Sequence, residues 1–192
     1  MTKIIFATGN KDKMKEIRMI LSDLDVEILS MKEAGISVDI EENGTTFEEN
    51  ALIKAKAVAA YTDAIVLADD SGLEIDYLNK EPGVYSARYA GDAHNSEANM
   101  KKLLKDMEGI ENRKAQFRTV FVLIIDGKEH LFEGIVKGEI TKNRKGASGF
   151  GYDPIFIPEG YTQTFAEMGN ELKNKISHRA LATNKLCKFL MR

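Results

Sequence analysis

Ile4-Ile5-Phe6-Ala7-Thr8-Gly9-Asn10-Lys11-Asp12-Lys13-Met14 is the stretch that decides the fold. Its first four residues are a continuous apolar run, closed by a glycine-containing triplet, the pattern of a buried strand giving way to a loop. Beyond Lys11 the apolar residues Met14, Ile17, Ile20 or Leu21, and Leu24 recur at helical spacing with charges between them. The chain therefore opens strand, loop, amphipathic helix, and a second strand is expected over residues 26–30. Working outward, Thr46 and Glu49 have the spacing of a capping box, opening a helix that buries Ala51, Leu52, Ala55, Val58 and Ala59. Residues 64–68 read as an apolar strand that delivers Asp69-Asp70-Ser71-Gly72 at its end. Pro82-Gly83 breaks the chain before a helix with Met100, Leu103, Leu104 and Met107 on one face. Residues 117–125 are rich in β-branched side chains, and Asp126-Gly127 is a hairpin turn that returns a partner strand over 131–140. A glycine- and aromatic-rich loop at 146–158, with a strand at 155–157, precedes a last helix capped by Ser177. These elements predict one α/β domain over residues 1–192, built on a mixed sheet flanked by helices.

The composition agrees. A chain of 192 residues, 43% hydrophobic and 30% charged, is the size and make-up of an ordinary soluble domain. A net charge of -3 argues against binding to duplex nucleic acid, while leaving room for a small anion held by a few clustered lysines. The single Cys187 excludes an intramolecular disulfide and a cysteine zinc site, and is expected as a buried free thiol. Only the short run 4–7 lies between Lys3 and Lys11, which is no signal peptide, and no apolar run has the length of a membrane span. A cytoplasmic protein with neither membrane nor nucleic-acid partner is expected.

Four places could carry chemistry. Thr8, Gly9, Asn10 and Lys13 lie where a strand meets a helix, and free amides at a helix N-terminus hold phosphate well. A plain Gly-Asn turn before a solvated helix would use the same residues. Asp69 and Asp70 crowd two carboxylates, which is costly unless a cation neutralises them, and magnesium favours one or two carboxylates plus phosphate oxygens. The acidic loop containing Glu41 could add a ligand, or could be a solvated turn. Phe150-Gly151-Tyr152-Asp153 pairs aromatics with glycines, a combination suited to stacking on a flat base or to packing on the core. Finally, His178 and Arg179 start a helix, where cations oppose the dipole unless an anion is near. His94 and His130 have no such setting.

Together these residues resemble the inosine triphosphate pyrophosphatase family. The similarity rests on Thr8-Gly9-Asn10-x-x-Lys13, Glu41-Glu42-x-Gly44-x-Thr46-Phe47-x-Glu49-Asn50-Ala51 with Lys54, and Ala68-Asp69-Asp70-Ser71-Gly72-Leu73. It continues through Pro82-Gly83-x-Tyr85-Ser86-Ala87-Arg88-Tyr89, Phe150-Gly151-Tyr152-Asp153-Pro154 and Lys173-x-x-Ile176-Ser177-His178-Arg179, in the family's order. The resemblance implies an elongated mixed sheet with two lobes around a substrate cleft, and usually a homodimer. It implies hydrolysis of ITP, dITP and XTP to the monophosphate and pyrophosphate with Mg2+. Carried over, Thr8, Gly9, Asn10 and Lys13 would bind the triphosphate with Lys54 nearby. Glu41 and Asp70 would hold the metal, with Asp70 as base, and Ser71 would touch substrate. Phe150, Gly151, Tyr152, Asp153, Lys173, His178 and Arg179 would form the base pocket.

The alternatives are a related pyrophosphatase for other modified or pyrimidine triphosphates, a nucleotide sensor that does not hydrolyse, and a single-stranded nucleic-acid binder. Lys13, Lys54, Glu41 and Asp70 argue against a sensor, and the negative charge against the last.

Overall fold

The computed structural model describes residues 1–192. Its elements are β1 (Thr2–Phe6), α1 (Lys11–Ile20), β2 (Val26–Ser30), α2 (Phe47–Ala59), β3 (Ile65–Ile75), α3 (Ser96–Asp106), β4 (Lys114–Ile125), β5 (Lys128–Ile140), β6 (Phe156–Pro158), α4 (Phe165–Ile176) and α5 (His178–Leu190). Short 3-10 turns lie at Gly83–Arg88 and Asp153–Ile155. The strands form one six-stranded sheet in the order β2-β1-β3-β4-β5-β6. β1 runs parallel to β2 and to β3, whereas β5 and β6 are antiparallel, so the sheet is mixed. No helix is long and apolar enough to cross a membrane.

The chain divides into two compact units. The first comprises Met1–Asp70, Thr119–Gly134 and Arg179–Arg192, and the second Ser71–Arg118 and Ile135–His178. In the first unit, α1 begins as its sequence requires. The Asn10 side chain accepts hydrogen bonds from the amides of Asp12 (2.9 Å) and Lys13 (3.1 Å) and so caps the helix. Strand alternation sends side chains to two faces. On one, Ile4, Phe6 and Leu67 pack with Met14 and Ile17 of α1 and with Ala182 and Leu186 of α5. On the other, Ile5, Val66 and Ala68 pack with Ala51, Ala55 and Val58 of α2. Each fully buried aliphatic side chain of this kind contributes about 1.5–3 kcal/mol. Asp126 (φ 50) and Gly127 (φ 72) form a two-residue turn of the kind expected between β4 and β5.

The second unit has its own core of Leu73, Ile75, Leu103, Met107, Phe117, Tyr152, Phe156 and Phe165. Arg113 ties it together by donating to the carbonyls of Met107, Ile110, Ile140 and Thr141. Helix α4 starts with a complete capping box between Thr164 and Glu167, and breaks at Gly169, whose φ of 82 is open to glycine alone at low cost.

Three local expectations need correction. β3 does not end before Asp69 but continues through Asp69-Asp70-Ser71-Gly72 to Ile75. Charged residues and glycine are poor strand formers; β1 pairs with β3 only over Ile65 to Leu67, and beyond it β3 keeps β4 as its neighbour in the sheet while partners on the helices receive its two carboxylates. The box at Thr46 is half made: its hydroxyl caps the Glu49 amide, but the Glu49 carboxylate turns back to the Thr45 amide at 2.6 Å. Cys187 is half-buried, not fully enclosed, and burial pushes its thiol up.

Candidate active site

Because Asp69 and Asp70 are consecutive on a strand, alternation separates them. Asp69 continues the Leu67 face, toward α1 and α5; Asp70 continues the Ala68 face, toward α2. Their surroundings differ accordingly. Asp69 is 0% exposed, and its Oδ2 lies 3.0 Å from the Lys13 ammonium and 3.8 Å from the Arg179 guanidinium. Burial would raise its carboxyl, but Lys13, Lys54 and Arg179 outweigh burial and hold it well below the usual carboxylate range. Arg179, 1% exposed, is also closely paired with the buried Glu16 of α1.

Asp70 is 8% exposed and accepts a hydrogen bond from the Asn50 amide at 3.0 Å. Burial dominates here and pushes its carboxyl up to about 6, although Lys54, Lys13 and the Asn50 bond pull the other way. Lys54, buried on α2, pairs with Glu42 at 2.8 Å. Burial would lower this lysine, but Asp69, Glu42 and Asp70 together raise it, so it stays a cation.

Of the expected metal ligands, Glu41 is exposed on the loop, and the carboxylate that meets Lys54 is its neighbour Glu42. Nowhere do three His, Cys, Asp or Glu side chains gather as a cage. Magnesium keeps several waters and takes one or two carboxylates together with substrate phosphates, so the fit rests on single carboxylates. A buried carboxylate whose proton is held to about pH 6 gains more from a neighbouring cation than a solvated one would. Asp70 therefore fits as a magnesium ligand.

The phosphate-type loop lies in the same unit. Thr8 accepts from the Asn10 amide at 3.1 Å, Gly9 and Asn10 are exposed, and the Lys13 side chain leads back to Asp69.

The second unit carries the aromatic loop. Asp153 accepts from the Phe150 amide (3.0 Å) and from the Lys173 ammonium (2.6 Å), which also sits 4.5 Å from the centre of the half-exposed Phe150 ring. A side chain at Gly149 would meet the Asp153 carboxylate at 2.1 Å, so the loop closes tightly over it. His178 stacks on Phe117, with ring centres 4.9 Å apart. Ser71 is half-buried on β3 and Gly151 (φ 61) sits in the turn before Tyr152.

One placement revises the sequence reading. Tyr152 is 5% exposed within the core, and its hydroxyl donates to the Ser86 carbonyl at 2.6 Å, so its ring does not offer a face for stacking. Arg179 lies with Glu16 and Asp69 in the first unit, whereas Phe150, Asp153 and Lys173 belong to the second. Glu16, Glu42, Asn50 and Phe117 were not singled out for these roles. Glu16 had one visible signal, an acid between Met14 and Ile17 on the apolar side of α1.

A parallel opening with its loop at a helix N-terminus, and a carboxylate pair compensated by lysines on the third strand, define a distinct α/β class. The chain belongs to the Ham1 family, whose model matches residues 4–189. A relative from Porphyromonas gingivalis named dITP/XTP pyrophosphatase is 50% identical over 192 residues, which is 100% of this chain and 98% of the relative. One of the same name from Flavobacterium johnsoniae is 48% identical over 188 residues, 98% of this chain and 97% of the relative. The structure of the Ham1 protein of Staphylococcus aureus matches with a TM-score of 0.89 at 42% identity, covering 99% of this chain and 98% of that one. A HAM1 protein from Coxiella burnetii matches with a TM-score of 0.91 at 39% identity, covering 100% and 99%.

Proposed function

We propose that this protein hydrolyses ITP, dITP and XTP to the monophosphate and pyrophosphate, with magnesium held by Asp70 and Glu41, and so clears non-standard purines from the nucleotide pool. The observation that carries the reading is the contrast in setting between neighbouring carboxylates: Asp69 lies against the Lys13 ammonium at 3.0 Å, whereas Asp70 is buried on the other face with the Asn50 amide at 3.0 Å, and burial pushes its carboxyl up. Titratable groups driven apart by their surroundings mark acid–base roles. The names of the dITP/XTP pyrophosphatase relatives support the substrate class.

Asp70, ionised above about pH 6, accepts a proton from the attacking water. As that proton leaves, the water oxygen bonds the α-phosphorus, and the bridging P–O bond breaks with its electron pair going to pyrophosphate. Thr8, Gly9, Asn10 and the first amides of α1 receive the triphosphate, and Lys13 and Lys54 offset its charge. Magnesium, which Asp70 and Glu41 would hold, would add charge neutralisation for the triphosphate and lower the pKa of a bound water. Asp69, itself held by Arg179, serves as the fixed anionic partner of Lys13. Phe150, Asp153, Lys173 and His178 recognise the base, with Ser71 touching substrate; hypoxanthine and xanthine present a 6-keto acceptor where adenine presents a donor, and guanine, which shares that acceptor, is excluded at its 2-amino group. The protein works as a homodimer, as the family resemblance implies, and in the cytoplasm, in keeping with the sequence expectation.

Pyrophosphate release at pH 8–9 with magnesium tests the reading. ITP and XTP are expected to exceed ATP and GTP by roughly a hundredfold, the scale of a mispaired buried polar group. Equal rates on ATP, GTP, CTP, ITP and XTP would overturn purine selectivity, and binding of ITP without release would overturn hydrolysis.

A further inference from the structure

Asn50 has no part in the reaction as described, yet it is 3% exposed and uses both ends of its amide. Its Oδ1 accepts from the Gly44 amide at 2.8 Å, and its Nδ2 donates to Asp70 Oδ2 at 3.0 Å. The orientation is forced: a backbone amide can only donate, so the oxygen must face Gly44 and the nitrogen must face the carboxylate. The loop is drawn down hard at this point. A Cβ at Gly44 would lie 2.7 Å from Asn50 Oδ1 and 2.7 Å from Glu49 Cβ, so only glycine fits. A second tie, between Glu42 and Lys54, fixes the same loop to α2. Glu41 sits beside that tie, three residues before Gly44, exposed on a loop fixed at both points.

We infer that Asn50 is a positioning residue that sets the Glu41–Gly44 loop against Asp70, so that carboxylates from the loop and from β3 can serve one divalent cation. This rests on the magnesium reading given above. Partners that orient a metal ligand without touching the metal typically change affinity by about 10–100-fold when removed. The two bonds act in series. Losing the Asn50 side chain releases the loop and Asp70 together, whereas a side chain at Gly44 presses on Asn50 Oδ1 and Glu49 Cβ and disturbs the same tie from the loop side.

The test is a titration of nucleotide-free full-length protein with Mn2+, followed by loss of the free-ion paramagnetic resonance signal. The wild type, Asn50→Ala, Gly44→Ala and Asp70→Asn are compared at a temperature where circular dichroism shows each to be folded. Asn50→Ala and Gly44→Ala are each expected to weaken Mn2+ binding roughly tenfold or more. Asn50→Gln, which keeps the amide on a longer stem, is expected to recover part of it. Wild-type affinity in folded Asn50→Ala, with binding lost in Asp70→Asn, overturns this inference and leaves the metal reading standing. Wild-type protein that takes up no Mn2+, or Asp70→Asn that binds as well as wild type, overturns the metal reading and this inference with it.

Discussion

Asp69→Asn is expected to lower the stability of the protein by about 3–5 kcal/mol, the usual cost of removing one partner from a buried ion pair. The substitution preserves shape, so the loss comes from charge: Lys13 at 3.0 Å and Arg179 at 3.8 Å lose the anion between them, and the Lys13 ammonium, which burial already pushes down, is disfavoured further. Glu16 still compensates Arg179. For a chain of this size the melting temperature should fall by about 10 °C or more. The pH dependence has a definite sign. The folded Asp69 carboxyl lies below its ordinary 3.8, so its contribution is present above that value and is lost as pH falls through the folded one. Thermal melts of wild type and variant should differ most at neutral pH and converge in strong acid. A variant as stable as wild type at pH 7 would contradict the ionic account of this face.

The same substitution one residue later should act in the opposite direction on stability. Burial raises folded Asp70 to about 6 from 3.8, so the folded state binds more protons than the unfolded one between those values. Stability contributed by protonated Asp70 is complete below 3.8 and lost as pH rises through about 6. Above that, an ionised Asp70 costs the metal-free protein about 1–3 kcal/mol, taking 1.36 kcal/mol per unit. The amide introduced by Asp70→Asn carries no charge and still offers an oxygen to the Asn50 side chain. The variant should therefore melt higher than wild type at pH 8 without metal, and nearly level with it at pH 4. Its turnover of ITP should fall by about a thousandfold, within the range for loss of a general base. Near-normal turnover would remove Asp70 from the chemistry; a lower melting temperature at pH 8 would contradict its raised carboxyl.

These opposed effects explain why part of the molecule was legible in the sequence and part was not. The opening strand and helix, the Asp126-Gly127 turn and the start of α5 after Ser177 are set by periodicity and by residues with local conformational demands, so short stretches suffice. The run Asp69-Asp70-Ser71-Gly72 read as a strand ending, because what holds it in extended form is remote: α1 and α5 supply the cations for Asp69, and α2 the amide for Asp70. Arg179 and Glu16 lie 163 positions apart in the chain, and no local pattern links them. Tyr152 looked like a stacking ring because composition cannot tell a core aromatic from a ligand-facing one; its hydroxyl bond to Ser86 decides the matter. The motif blocks name residues from both units, while the pairing of Asp69 with Lys13 and Arg179, and of Asp153 with Lys173, required the fold.

The most direct test of the central claim is hydrolysis of ITP in 18O-labelled water with the products read by mass spectrometry. Attack at the α-phosphorus predicts one 18O in inosine monophosphate and unlabelled pyrophosphate. Label in pyrophosphate, or release of inorganic phosphate in its place, would contradict the mechanism proposed for this site.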